Sequence, residues 1–204
     1  MCHVRFPRLL AQGFCPPSLV RALGAASLLL GCGAAPQSPA SRLPSYGAEA
    51  AALLDDGLSG HLFDTAFVPG IAGDDPHFED RVRASESIWQ VKVATVSRSG
   101  SQGDNRRYDL SFRTLDVLSG PPPAGPVALS VSGKEPSFHW LDRTGGAWVG
   151  HELLLFVRNY RSGDKAVLHF HGEPVSPELR ARIAEIRAAM AAQARERAAP
   201  AAKK

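Results

Sequence analysis

Histidine supplies most of the side-chain chemistry open to this chain. Its seven histidines are scattered except for one pair, His169-Phe170-His171. On a strand, residues two apart share a face, so both rings could approach one Zn²⁺ or Cu²⁺ ion if a third donor such as His151, His139 or Glu173 came near. The competing reading places both histidines in solvent on either side of a buried Phe170, with Leu168 and Phe170 forming the inward set. Two ligands without a third favour that second reading. A further segment, His151-Glu152-Leu153-Leu154-Leu155, begins like the zinc-protease motif H-E-x-x-H. That motif needs two histidines one helical turn apart, and Leu155 occupies the second position. The acidic run Asp74-Asp75-Pro76-His77-Phe78-Glu79-Asp80 offers oxygen ligands without the spacing or glycine of a calcium loop, and it reads as a solvated loop.

Trp140 and Trp148, with Phe138 and His139, bracket a turn near Gly145-Gly146. Aromatic rings beside a loop could form a carbohydrate or peptide platform, or could plug one end of a small barrel, and burial tendencies favour the plug. There is no G-x-S-x-G elbow, no phosphate-binding P-loop and no dinucleotide glycine fingerprint, so no catalytic role is assigned to any residue.

Length bounds the elements that must position these groups. A chain of 204 residues with 44% apolar content and 21% charged residues suits one ordinary domain with appendages. No run of eighteen apolar residues occurs, which excludes a multi-span helical membrane protein. At the start, Arg5, Arg8 and Arg21, with no acid before Glu49, precede the apolar run Ala22-Leu23-Gly24-Ala25-Ala26-Ser27-Leu28-Leu29-Leu30 and then Gly31-Cys32. A basic region, a short apolar region and a small residue before the cut have the form of a secretory signal peptide.

The segment Leu29-Leu30-Gly31-Cys32 resembles the lipobox of bacterial lipoproteins. That resemblance implies cleavage between Gly31 and Cys32, diacylglycerol on the Cys32 thiol as the covalent lipid, and Cys32 as the mature N-terminus. Removing residues 1–31 takes away three arginines and no acid, leaving 20 basic and 20 acidic residues. The apparent net charge of +3 then belongs to the leader, and no nucleic-acid partner is expected. Cys2 and Cys15 leave with it, so Cys32 would be the sole mature cysteine, with neither an intrachain disulfide nor a cysteine metal site. Gly33 after the cysteine is not the aspartate of an inner-membrane retention signal, so the resemblance implies outer-membrane anchoring in a Gram-negative cell.

Residues 32–47 are mostly Gly, Ala, Pro, Ser and Gln and read as a tether between lipid and domain. Within residues 48–82 a short helix is expected from Ala48 to Leu54, stopping at Asp55-Asp56-Gly57, followed by an irregular connection with one short helix around His61 to Phe67. From residue 83 the period becomes two. Trp89, Val91 and Val93 share a face, as do Tyr108, Leu110 and Phe112. Leu115 and Val117 continue the apolar set in opposite parity, which predicts a bulge near Arg113-Thr114. Val127 to Val131, Phe138 to Leu141, Glu152 to Val157 and Ala166 to Phe170 read as further strands, the continuous apolar run after Glu152 being the central one.

The fold class expected is mainly β with flanking helices: a small antiparallel barrel or sandwich over residues 83–172. A C-terminal amphipathic helix over 176–197 follows, then a solvated tail over 198–204. Ser176 is a good N-cap, Pro177 fits the first helical position, and Leu179, Ile183, Ile186 and Met190 form the apolar stripe. The order of strands over residues 83–171 resembles OB-type barrels of netrin-like modules. The expected function is a lipid-anchored envelope protein with a non-catalytic binding or scaffolding β-domain, partnered by the membrane and by an envelope protein or glycan. The alternative is a metal-binding or metal-dependent lipoprotein using His169 and His171.

Overall fold

A computed structural model describes residues 42–63, 75–100 and 105–198. The expectations for the leader, for Gly31 and Cys32, for most of the tether and for the tail beyond Ala198 lie outside the described residues. Along the chain run α1 (Ala48–Leu53), β1 (Gly57–Leu58), α2 (Phe78–Ala84), β2 (Ser87–Ser99), β3 (Arg107–Ser119), β4 (Val127–Ser132), α3 (Pro136–Thr144), β5 (Glu152–Ser162), β6 (Lys165–Pro174) and α4 (Pro177–Ala198), with 3-10 turns at Gly60–Leu62 and Gly145–Trp148. The protein is mainly β, with helices flanking one curled sheet.

The sheet is a six-stranded half-barrel in the order β1-β6-β5-β2-β3-β4. All neighbours pair antiparallel except the two-residue β1, which lies parallel to β6 with Gly57 opposite His171. The central position expected for the Glu152 run is confirmed: β5 pairs with β2 on one side and β6 on the other. Its residues split by parity between two cores, as a strand buried on both faces requires. Leu153, Leu155 and Val157 join Trp89, Val91, Leu110, Phe112 and Phe170 on one face, and Leu154, Phe156 and Tyr160 face α1, α2 and α4 on the other.

The C-terminal helix forms as its sequence predicts. The Ser176 hydroxyl accepts a hydrogen bond from the Leu179 N–H at 3.1 Å, and Leu179, Ile183 and Ile186 are buried with Met190 packed beside them. Arg180 ties the helix down by donating to Gln90 and Asp116 on neighbouring strands.

Three expectations need correction. Phe138 to Leu141 is helix, not strand, because Pro136 starts a helical turn that sets Phe138 and Leu141 three apart on one buried face. The stretch before residue 83 is less irregular than expected: α2 has acids Glu79 and Asp80 in its first turn and arginines in its last, matching the helix dipole, and it buries Phe78 and Val82. Of the short helix expected around His61 to Phe67, the described residues contain the 3-10 turn Gly60–Leu62, and residues 64–67 lie outside them. Bulging in β3 does occur, with Leu115 and Leu118 as the extra residues opposite β2, but Leu115 and Val117 end up 40% and 36% exposed instead of continuing the core. Each bulge inserts a residue without a partner and resets which face the following side chains take.

Candidate functional site

The two histidines do share a face, and that face is not solvent. Leu168 and Phe170 point into one core, while His169, His171 and Glu173 point to the side occupied by α1 and α2. His171 is 7% exposed, so the solvent-facing reading is wrong. The turn that ends α1 is what covers it. Asp55 and Asp56 leave the helix, Asp56 with φ 55°, and the chain then pairs along the edge of β6. The Asp56 N–H donates to the Phe170 carbonyl at 2.9 Å and the Ser59 N–H to the Gly172 carbonyl at 2.8 Å.

Each histidine meets its own aspartate there. His171 Nδ1 lies 2.7 Å from Asp55 Oδ1, and its Nε2 lies 3.0 Å from Glu173 Oε1. Glu173 is also held by the Arg81 guanidinium of α2 at 3.0 Å. Arg81 in turn pairs with Asp75 and donates from Nε to the Leu53 carbonyl at 2.8 Å. His169 Nδ1 sits 2.7 Å from Asp56 Oδ2, and the other oxygen of Asp56 accepts the Phe170 N–H at 3.1 Å. The Tyr46 ring stacks on the His169 imidazole at 3.5 Å, and its hydroxyl donates to the Leu54 carbonyl at 2.5 Å. The set therefore clasps the N-terminal segment and α2 onto β6.

Carboxylates at both nitrogens of a buried imidazole hold it as the imidazolium, the only form that donates from both. Burial, the largest influence, pulls the His171 pKa down, but the hydrogen bonds to Asp55 and Glu173 outweigh it and the value is raised. For Asp55 burial again acts first, upward, and the bond and charge of His171 and the Gly57 N–H bring it below the usual carboxylate value. Asp75 is lowered in the same way: burial raises it, and the His77 N–H and Arg81 overcome that. At Asp56 burial prevails over His169 and the Phe170 N–H, and the pKa is raised. Burial, then the charges of Asp56 and Asp55, pushes the Tyr46 phenol up to about 12.

His171 has no free lone pair in this state, so it can neither take a proton from a substrate nor bind a metal while the clasp is closed. His169 keeps only Nε2 without a protein partner among the described residues. His151 is not with them. It precedes β5 and packs against Trp148, whereas His171 pairs with Phe156; five residues of strand separate the two positions, roughly 17 Å. Glu173 does reach His171, as a salt-bridge acceptor. No group of three His, Cys, Asp or Glu residues able to hold a metal is present among the described residues.

The aromatic cluster is partly buried: Phe138 and Trp148 lie in the core, while Trp140 is 36% exposed. Trp148 is buried, Trp140 stacks with Phe63 at 5.6 Å and lies under the Arg143 guanidinium at 4.3 Å, and Phe63 also tilts against Trp148 at 4.3 Å. Phe63 and the Arg143 guanidinium therefore both lie against the Trp140 ring.

Sequence reading missed Arg81, Asp55, Asp56 and Tyr46 as members of one cluster. One signal was present: His169, His171 and Glu173 at strand spacing put three polar groups on a single face, and a sheet packed by helices must answer them with charge. Among the described residues the fold is a half-barrel sheet whose paired histidines, carboxylates and Arg81 form an interior clasp. No family model, no curated protein and no solved structure matches the chain.

Proposed function

We propose that the protein is a lipid-anchored envelope lipoprotein whose half-barrel is a non-catalytic binding or scaffolding domain. The observation that carries the anchoring is the sequence Leu29-Leu30-Gly31-Cys32 at the end of a nine-residue apolar run that follows only basic charges. Nine residues suit the apolar region of a signal peptide and are too few to span a bilayer. No helix among the described residues is long and apolar enough to cross a membrane. Support for a non-catalytic role comes from the site: the buried imidazolium, its carboxylates and Arg81 satisfy one another. Groups so paired hold α1, β1 and α2 in place and leave no base next to a nucleophile.

On this reading the mature chain has no net charge, is anchored by diacylglycerol on Cys32 in the cell envelope, in the outer membrane if the cell is Gram-negative, and meets envelope proteins or glycans. Intact mass and N-terminal peptide analysis of membrane-extracted protein tests the anchor. The expected result is a chain starting at acylated Cys32, with Cys32→Ser leaving the leader attached and the thioether lipid absent. An unmodified chain that retains Met1 overturns the proposal. Crosslinking in native membranes tests the binding role, and recovery of no reproducible partner counts against it.

A further inference from the structure

The sheet is a half-barrel, and among the described residues β4 and β6 keep outward backbone groups that no other strand pairs. On β6 the carbonyls of Phe170 and Gly172 turn outward to receive the Asp56 and Ser59 N–H groups. Strand alternation therefore turns the N–H and C=O of Leu168 outward as well, beyond the reach of the two-residue β1. On β4 the Gly133 N–H bonds the Arg106 carbonyl at 2.7 Å, which sets Val127, Leu129 and Val131 toward β3 and turns the backbone of Ala128 and Ser130 away from it. Ala128 and Leu168 line the same cavity, of about 380 Å³, together with Trp89, Val157 and the Pro121 to Pro126 loop.

The walls of this cavity are uncharged apart from Glu86, whose carboxylate already accepts from the Asn159 backbone and side-chain amides at 3.2 and 3.1 Å. The strand Val127-Ala128-Leu129-Ser130-Val131-Ser132 carries no lysine, no proline and no bulge against β3, the devices that usually blunt an exposed edge. We propose that the seam between β4 and β6 receives an extended, uncharged segment of a partner polypeptide as an added strand. Only a polypeptide backbone presents donors and acceptors along both of its edges, as two unpaired walls require. A second folded copy fits less well, because its own β4 is already paired on one side and could satisfy only one wall. The inference rests on the reading of the domain as a binding module and gives it a ligand class.

The test uses the purified full chain, labelled with ¹⁵N, and a capped peptide of the β4 sequence, acetyl-Val-Ala-Leu-Ser-Val-Ser-amide, as the probe. In the isolated chain the Ala128 and Leu168 amides are expected to exchange readily with D₂O. With the peptide both signals and the Trp89 indole signal shift saturably, and exchange at the two amides slows by about tenfold or more, as newly formed backbone bonds require. Ala128→Pro removes an outward N–H that no β3 carbonyl uses, so it should abolish the shifts and leave the core methyl spectrum intact. Ala128→Lys serves the same purpose if the proline variant does not fold.

Three results overturn the proposal. Protection of both amides in the isolated chain would show that the chain covers its own seam. A response at Ala128 alone would indicate edge-to-edge pairing of the kind a second copy makes. No response at millimolar peptide, or one that survives both substitutions, removes the site. None of these outcomes bears on the acylation of Cys32 or on partners recovered by crosslinking, so failure of the seam and failure of the lipoprotein reading are separable.

Discussion

Replacing Arg81 with methionine should be among the most damaging single changes to this domain. Arg81 is 4% exposed, and its guanidinium serves three acceptors on three separate segments: the Leu53 carbonyl at the end of α1, Asp75 before α2, and Glu173 on β6. Methionine fills much of the same space, so the loss is mainly electrostatic. It leaves Glu173, itself 6% exposed, with only His171 as a cationic partner. Removing one member of a buried ion pair costs about 3–5 kcal/mol, because the remaining charge stays desolvated. At roughly 2–4 °C per kcal/mol for a domain of this size, the melting temperature should fall by about 10 °C. Urea unfolding at neutral pH measures it, with the midpoint moving and the slope unchanged.

The partner variant separates charge from packing. Glu173→Gln needs no cation beside it, so Arg81→Met in that background should cost less than in the native chain, with a coupling of about 1.5–3 kcal/mol, the range of a charged hydrogen bond. A loss below about 1 kcal/mol for Arg81→Met, or costs that add to within about 0.5 kcal/mol, would refute the claim that the clasp is an electrostatic unit.

The clasp also predicts a pH profile. His171 holds its proton more tightly in the folded chain than in the unfolded one, so its stabilisation is complete below about pH 6.5 and is lost as pH rises through the raised folded value. Asp55 acts in the opposite sense: its contribution is present above about pH 3.9 and disappears as pH falls through its lowered folded value. Urea midpoints across a pH series should show both limbs, and His171→Gln should flatten the first alkaline one; an unchanged alkaline limb in that variant would remove His171 as its cause. Tyr46, raised to about 12, adds a separate loss that begins only above about pH 10, and Tyr46→Phe should delete it. Gly172→Ala should destabilise the fold by about 1–3 kcal/mol through overpacking, since a Cβ there would lie 2.5 Å from Leu58 Cδ2 and 3.2 Å from Leu153 Cδ1. Wild-type stability in that variant would refute the overpacking and mean that the Leu58 side chain moves aside at little cost.

Local pattern carried much of this architecture. Alternation of apolar residues in β2 and the first half of β3, the unbroken run of β5, and the Ser176-Pro177 start of α4 each follow from forces within a few residues: side-chain parity, burial on both faces, and capping of free N–H groups. The proposed lipobox ending at Cys32 is a reading of the same local kind, since it rests on the contiguous string Leu29-Leu30-Gly31-Cys32 and on no fold. The short helix α1 and its stop at Asp55-Asp56-Gly57 were legible for that reason as well.

Other features depend on which distant segments meet. Phe138 to Leu141 is too short for periodicity to separate strand from helix; Pro136 starts the helical turn, and packing of Phe138 against Tyr108 adds the tertiary support. Leu115 and Val117 look like core residues until bulges that depend on the partner strand move them outward. The clasp is the clearest case. Asp55 lies 116 residues before His171, Asp56 lies 113 before His169, and Arg81 lies 92 before Glu173. Sequence placed the histidines on one face of a strand and named Glu173 beside them, but a buried imidazole is defined by the charges packed against it. Those charges arrive from the turn between α1 and β1 and from α2, and only the tertiary structure brings them within hydrogen-bonding distance.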